Sequence, residues 1–304
     1  MNYKSNLLII NNLICRTSLN SKSKDETPNQ SAQNNVKSEI DELIMKAESG
    51  DVIAQGTLSD MYFAGKGVEQ NYQESIKWLR KAADGGLANA QFSMGLLYCG
   101  HMGMFQRDIE KAIQYFMKAA VQGHPQAENE IGNAYYYGSG MPKNMPEAEK
   151  WYQMAVQQGE PNAMVGLSQI YFDKGRIDEA IQLISKSASL GNAVAMDNLA
   201  FCYMEGKGIK VDKEMAVYWL KKSVDCGYAK AFANLAYCYM RGEGIERDYK
   251  KMFELYKKGA ELGDAKCIYR LGCCYKSGII NVVDKDLDRA SELMSKAMSM
   301  GYRE

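Results

Sequence analysis

Histidine is nearly absent from this 304-residue chain: only His101 and His124 occur. No Ser-His-Asp, Cys-His or HExxH arrangement can be assembled from the spacing, which leaves the sequence without a recognisable catalytic constellation. His101 stands two residues after Cys99, but two ligands do not make a metal site. An excess of either charge is missing as well, with 37 Lys+Arg against 37 Asp+Glu. That balance argues against a nucleic-acid or membrane-surface protein driven by global charge. No run of eighteen or more apolar residues occurs, so no transmembrane helix is expected. No cofactor is expected either.

What the chain has is a period. Tyr62, Tyr98, Tyr135, Tyr171, Tyr203, Tyr239 and Tyr275 follow one another at steps of 36, 37, 36, 32, 36 and 36 residues. A fixed period in this range marks a stacked repeat. Around each tyrosine the same word recurs, as in Leu199-Ala200-Phe201-Cys202-Tyr203 and Leu235-Ala236-Tyr237-Cys238-Tyr239. Ala195, Leu199 and Tyr203 fall four apart on one helical face. A second stretch follows, in which Ala216, Trp219 and Leu220 sit at i, i+3, i+4 with lysines opposite. The pairs Gly65/Gly67, Gly138/Gly140, Gly206/Gly208 and Gly242/Gly244 break the chain between the two helices. A single glycine after the second helix (Gly86, Gly123, Gly159, Gly191, Gly227, Gly263, Gly301) suits a C-cap. The Gly-x-Gly turns follow helices and lack a third glycine, so they are repeat turns rather than a dinucleotide loop. The unit is helix, turn, helix, cap, and neither helix buries its apolar face without a stacked neighbour.

The pattern Leu-Gly-x-x-Tyr, Gly-x-Gly-Val, then Ala-x-x-Trp/Tyr-x-x-Lys-Ala-Ala-x-x-Gly resembles the Sel-like repeat, a relative of the tetratricopeptide repeat. Met94-Gly95-Leu96-Leu97-Tyr98 and Ile131-Gly132-Asn133-Ala134-Tyr135 carry its first part, and Trp78-Leu79-Arg80-Lys81-Ala82-Ala83 its second. The resemblance implies an all-α fold, a right-handed superhelical solenoid of seven repeats over residues 54–304. Residues 36–53 read as an N-terminal half-repeat cap, with Glu39, Asp41, Glu42, Lys46 and Glu48 on its polar face. Three repeats depart from the pattern. The fourth has Gly175 alone and is four residues short, and the sixth has Met252 where the others have alanine or serine. The seventh has Gly278-Ile279-Ile280 in place of Gly-x-Gly, which is expected to loosen the last unit.

Residues 1–35, rich in Asn, Ser, Lys and Gln, read as a disordered tail. Their lack of acids before Asp25 leaves a mitochondrial transit peptide as the alternative to a cytoplasmic protein. Cys202, Cys238 and Cys274 hold one position in successive repeats. Helices packed about 8–10 Å apart put these thiols out of disulfide reach, so they read as small buried hydrophobes in a reducing compartment. A disulfide from Cys226 to a neighbour is the alternative.

In tetratricopeptide-like folds the first helix of each repeat lines a concave groove. By that register the resemblance places Phe63, Asn129, Asn133, Tyr136, Tyr137, Phe172, Phe201, Tyr237 and Arg241 on a partner-binding face, together with Asp60, Asp197 and Tyr269. Exposed aromatics and arginine among amides are what a protein-binding surface favours, although any of them can instead pack on the next helix. Some tetratricopeptide proteins hold a peptide's terminal carboxylate in a clamp spread over three repeats. Asn234, Lys266 and Arg270 fall on its second and third parts, while Asp197 and Phe201 stand where lysine and asparagine belong. An acidic or carboxylate-bearing segment docking at Lys266 and Arg270 is one expectation, and pairing of those cations with nearby acids such as Asp264 is the other. The last helix, residues 287–300, carries Leu293, Met294, Ala297, Met298 and Met300 and is expected to contact a second copy or a partner. The resemblance implies a non-catalytic scaffold or adaptor that binds peptide segments or partner proteins. A secreted or cell-envelope hydrolase, or a regulator of one, is the alternative, and the absence of a catalytic constellation counts against it.

Overall fold

The computed structural model describes residues 30–100 and 105–303. A helix α1 (Gln30–Glu48) precedes seven helix pairs. These are α2 (Val52–Ala64) with α3 (Tyr72–Asp84), α4 (Ala88–Tyr98) with α5 (Ile109–Ala120), and α6 (Pro125–Tyr137) with α7 (Met145–Gln157). They continue with α8 (Pro161–Asp173) and α9 (Ile177–Ser189), then α10 (Ala193–Glu205) and α11 (Lys213–Asp225). The last are α12 (Ala229–Arg241) with α13 (Tyr249–Glu261), and α14 (Ala265–Ser277) with α15 (Leu287–Ser299). Among the described residues there is no strand, only one antiparallel bridge between Ile279 and Val283. The helix α1 begins ahead of residue 36, where the half-repeat was expected to start. Residues 1–29 of the expected tail lie outside the described residues. The chain forms two compact units, α1–α7 up to Glu160 and α8–α15 from Pro161.

One hydrogen bond recurs in all seven repeats. The N–H of the residue opening each second helix donates to the backbone carbonyl of the periodic tyrosine. The donors are Asn71, Asp108, Asn144, Arg176, Asp212, Asp248 and Asp286, at 2.8–3.0 Å. In six of the seven, that residue is Asn or Asp, and its side chain also caps the helix by accepting backbone N–H groups of the first turn. Three residues before each tyrosine stands a small buried residue: Ser59, Gly95, Gly132, Ser168, Ala200, Ala236 or Gly272. A Cβ on Gly95 would come within 2.4 Å of the Phe116 ring, and one on Gly132 within 2.6 Å of the Tyr152 ring. The small residue is therefore where the two helices of a pair approach.

The tyrosine rings are less deeply buried than a repeat core implies. Tyr171 and Tyr239 are buried, and the other five are partly buried. In four repeats a cation lies over the ring. Lys111 lies over Tyr98, Arg176 over Tyr171, Lys251 over Tyr239 and Arg289 over Tyr275, at 3.8–5.5 Å. Lys111 and Lys251 also pair with the capping Asp108 and Asp248.

The second glycine of each Gly-x-Gly pair does more than break a helix. It passes against the preceding repeat: Gly67 faces Ile40, Gly140 faces Ile109 and Ile113, Gly208 faces Ile177 and Ile181, and Gly244 faces the Lys213 carbonyl. In the fourth repeat the arginine at the helix start takes over from the missing turn. It pairs with Glu179 through both carboxylate oxygens while covering Tyr171. The seventh turn is closed rather than loose, because Ile279 and Val283 exchange backbone hydrogen bonds of 2.8 and 3.0 Å.

Cys202, Cys238, Cys267 and Cys274 are buried thiols, and Cys226 is exposed. Leu287 and Met298 of α15 and Met300 just beyond it are exposed, and Tyr302 packs its ring on Tyr269 at 4.8 Å.

Two glycine substitutions separate backbone strain from close approach. Gly227 (φ +75°) has open space around it, whereas a Cβ on Gly244 (φ +69°) would sit 2.0 Å from the Lys213 carbonyl oxygen. Gly227→Ala is expected to cost about 1–2 kcal/mol from the left-handed conformation alone. Gly244→Ala is expected to cost at least about 3 kcal/mol, because the backbone of a neighbouring repeat must also shift. Urea unfolding of the two variants measures the difference, and equal losses would mean that the turn does not press on the repeat before it.

Candidate partner-binding face

In the second unit, α10, α12 and α14 carry a polar ladder. Asn234 Nδ2 donates to Asp197 Oδ1 at 2.8 Å, and Lys266 Nζ donates to Asn234 Oδ1 at 3.2 Å. Burial pushes the Asp197 carboxyl above its usual range, and the Asn234 hydrogen bond and the charges of Lys266 and Lys230 act against that rise. The carboxylate-clamp positions are thus already engaged, since Asn234 uses both ends of its amide inside the fold. An incoming carboxylate would have to displace Asp197. Lys266 finds Asn234 rather than the expected Asp264. Arg270 is partly buried, with its charge close enough to the Tyr256 hydroxyl to oppose the rise in that group's pKa.

Beside the ladder are apolar rings. Phe201 of α10 is 56% exposed and Tyr237 of α12 is 45% exposed. They hold the same repeat position, 36 residues apart. Arg241 is exposed one turn beyond Tyr237, 3.9 Å from Glu243. Phe172 is partly buried, with the Lys207 ammonium 4.2 Å from its ring centre.

In the first unit, Phe63 is partly buried and meets Tyr72 edge-on at 5.5 Å. The neighbouring Asp60 is exposed, yet the helices around its carboxyl strip enough water from it to hold it up at about 6. Asn129 departs from the expected exposure, being only 4% exposed. Its Nδ2 donates to Glu130 Oε1 at 3.1 Å, and Asn133 Nδ2 donates to Glu130 Oε2 at 3.3 Å. The Tyr152 hydroxyl of α7 donates to Asn133 Oδ1 at 2.7 Å. Tyr136 and Tyr137 meet edge-on at 4.8 Å, and Tyr137 is 71% exposed. The side chains that present themselves outward are therefore Tyr137, Phe201, Tyr237, Arg241 and Lys266. Sequence reasoning missed Glu130 and Tyr152, whose only signal was a place next to or facing a groove position.

Among the described residues no cluster of His, Cys, Asp and Glu could hold a metal ion, and no helix is long and apolar enough to cross a membrane.

The repeat geometry has relatives. Sel1 repeats are matched over residues 53–87, 88–124, 125–160, 161–192, 193–228, 229–264 and 265–302. The chain belongs to the Sel1-repeat family. Sel1-repeat proteins are in general interaction and regulatory scaffolds, typically without catalysis. The structure resembles that of c5321, a protective antigen of uropathogenic Escherichia coli, at a TM-score of 0.64 and 30% identity. That match covers 86% of this chain and 56% of the antigen. A rat protein, DAP3-binding cell death enhancer 1, is 33% identical over 33% of this chain and 19% of its own length. An exopolysaccharide production negative regulator of Rhizobium leguminosarum is 30% identical over 46% of this chain and 57% of its own. Each of these relatives is matched over less than two thirds of its length.

The raised Asp197 pKa has a definite sign in stability. The folded chain holds the Asp197 proton more tightly than the unfolded chain does. Stability from this group is therefore present below the usual carboxylate pKa of about 4 and is lost as pH rises through the folded value. Asp197→Asn keeps an oxygen for Asn234 and removes the charge. Its urea midpoint is expected to gain on that of the native chain as pH rises from 4 to 7. A constant offset between the two proteins across that range would show that Asp197 is not held up by burial.

Proposed function

We propose that this chain is a non-catalytic adaptor that receives a segment of a partner protein on the free faces of its first helices. The observation that carries this reading is the pair Phe201 and Tyr237, two exposed aromatic rings in register on successive first helices beside the exposed Arg241. Rings of this kind supply contact area at small cost in side-chain entropy, and aromatic and arginine side chains dominate measured interface hot spots. Tyr137 offers the same chemistry in the first unit. The internal use of Asn234 and Lys266 favours this aromatic face over a carboxylate clamp as the main contact.

Two relatives are named as regulators, one of exopolysaccharide production and one of chitin synthase. Those names support a role in controlling partners over a hydrolase activity of the chain itself. The buried thiols of Cys202, Cys238 and Cys274, at one position in successive repeats, support a reducing compartment such as the cytoplasm as its place of action.

The test is crosslinked capture with the full chain and with a Phe201→Ala, Tyr237→Ala variant, after checking that both melt alike. A partner held by the native chain is expected to bind the variant about 1–3 kcal/mol more weakly, the range for hot-spot aromatics. Recovery of the same partners at the same affinity would remove this face from the proposal.

A further inference from the structure

Helix α6 carries a group of polar atoms with acceptor capacity left over. Glu130 is partly buried and has no cationic partner among the described residues. Two amide donors, from Asn129 and Asn133, are its hydrogen-bond partners. Asn133 spends its own oxygen on the Tyr152 hydroxyl. Asn129, buried to 4% exposure, keeps Oδ1 without any hydrogen-bond partner. A buried amide oxygen left unmet costs about 1–3 kcal/mol, so such an atom calls for an account.

What would satisfy both groups is a donor that carries positive charge and accepts nothing. Lysine and arginine side chains are the protein groups of that kind. A bare metal ion suits the site poorly, because hard cations take six or more oxygen ligands. Here one carboxylate and one amide oxygen are on offer. On the same face of α6, seven residues along and so about 10 Å away, the exposed Tyr137 ring can cover the stem of a long side chain or the chain on either side of it.

We infer that Glu130 and the free Asn129 Oδ1 form a socket for a lysine or arginine side chain of a partner peptide lying along α6. The assignment rests on the peptide-binding reading above and names the chemistry of one of its contacts. Burial already pushes the Glu130 carboxyl above its usual range, with the nearby Glu160 acting in the same sense. An incoming cation would relieve both effects.

The probe is a displayed library of random twelve-residue peptides, panned against the native chain and against Glu130→Gln, which keeps the shape and loses the charge. Peptides enriched by the native chain are expected to share one basic residue, and that preference is expected to vanish with Glu130→Gln. For the best such peptide, replacing the basic residue by norleucine should weaken binding to the native chain about tenfold. The same replacement should weaken binding to Glu130→Gln less than twofold. Asn129→Leu, which fills the site without the oxygen, should reduce the native effect and serves as a second variant should Glu130→Gln melt early. Peptides enriched without a shared basic residue would overturn the socket and leave peptide binding standing. An equal norleucine effect in native and variant proteins would overturn it too. If the native chain enriches nothing over an unrelated helical control, both readings fall.

Discussion

The hydrogen bond from the first residue of each second helix to the carbonyl of the periodic tyrosine is the constraint on which the repeat depends. It ties the end of one helix to the start of the next, and so fixes where the second helix begins and at what angle it returns. The loop it closes is not constant. The donor follows the tyrosine by nine residues in four repeats, by ten in the second, by five in the fourth and by eleven in the seventh. The bond keeps its 2.8–3.0 Å length throughout. What each repeat preserves is therefore the junction, with the loop free to vary so long as both ends meet there. The small residue three positions earlier belongs to the same constraint, because a return at this angle brings the second helix against the first. In the first pair the approach is made by two serines whose hydroxyls meet at 3.2 Å, Ser59 and Ser75. In the second and third it is made by a glycine under an aromatic ring.

Electrostatics reinforce the junction at little cost. An Asp or Asn placed there meets the positive end of the second helix and supplies oxygens to its orphan N–H groups. In two repeats the lysine three residues on spans that acid and the tyrosine ring. Each interaction is small at an exposed site, within about 1 kcal/mol. Lys111 and Arg289 cover two of the partly buried rings, those of Tyr98 and Tyr275, whereas Tyr171 and Tyr239 are buried as well as faced by a cation.

The architecture was legible because it is written as a period: tyrosine, glycine and small residues recur at steps the eye can measure. Even the irregular fourth repeat showed itself as a step of 32. What did not recur was not legible. Nothing in a Gly-x-Gly word says that its second glycine presses on the preceding repeat, since the atom it meets differs each time, from an isoleucine methyl to the Lys213 carbonyl. The face of the first helices was placed by register, and register is good to about a residue. That tolerance is enough to mistake buried Asn129 for an open surface and to overlook Glu130 beside it. The pairing of Asn234 with Asp197 and Lys266 also joins residues more than thirty positions apart whose types do not repeat.

The two units resolve one physical problem in different ways. Each has a carboxyl group on a first helix whose burial disfavours its charge. At Asp197 the fold answers from within, through an amide and, beyond it, a lysine on the next first helix. At Glu130 it supplies amides alone, and one of those amides is left with an unmet oxygen. A buried carboxyl without a cation is destabilising when ionised, and a scaffold gains nothing in stability by keeping one. The comparison with Asp197 shows that the repeat can accommodate a balancing lysine, since one neighbouring helix already provides it. On the reading proposed above, α6, which keeps the acid without the lysine, makes the first unit the place where recognition turns on charge, while the exposed Phe201 and Tyr237 rings give the second unit a face that recognises by apolar contact.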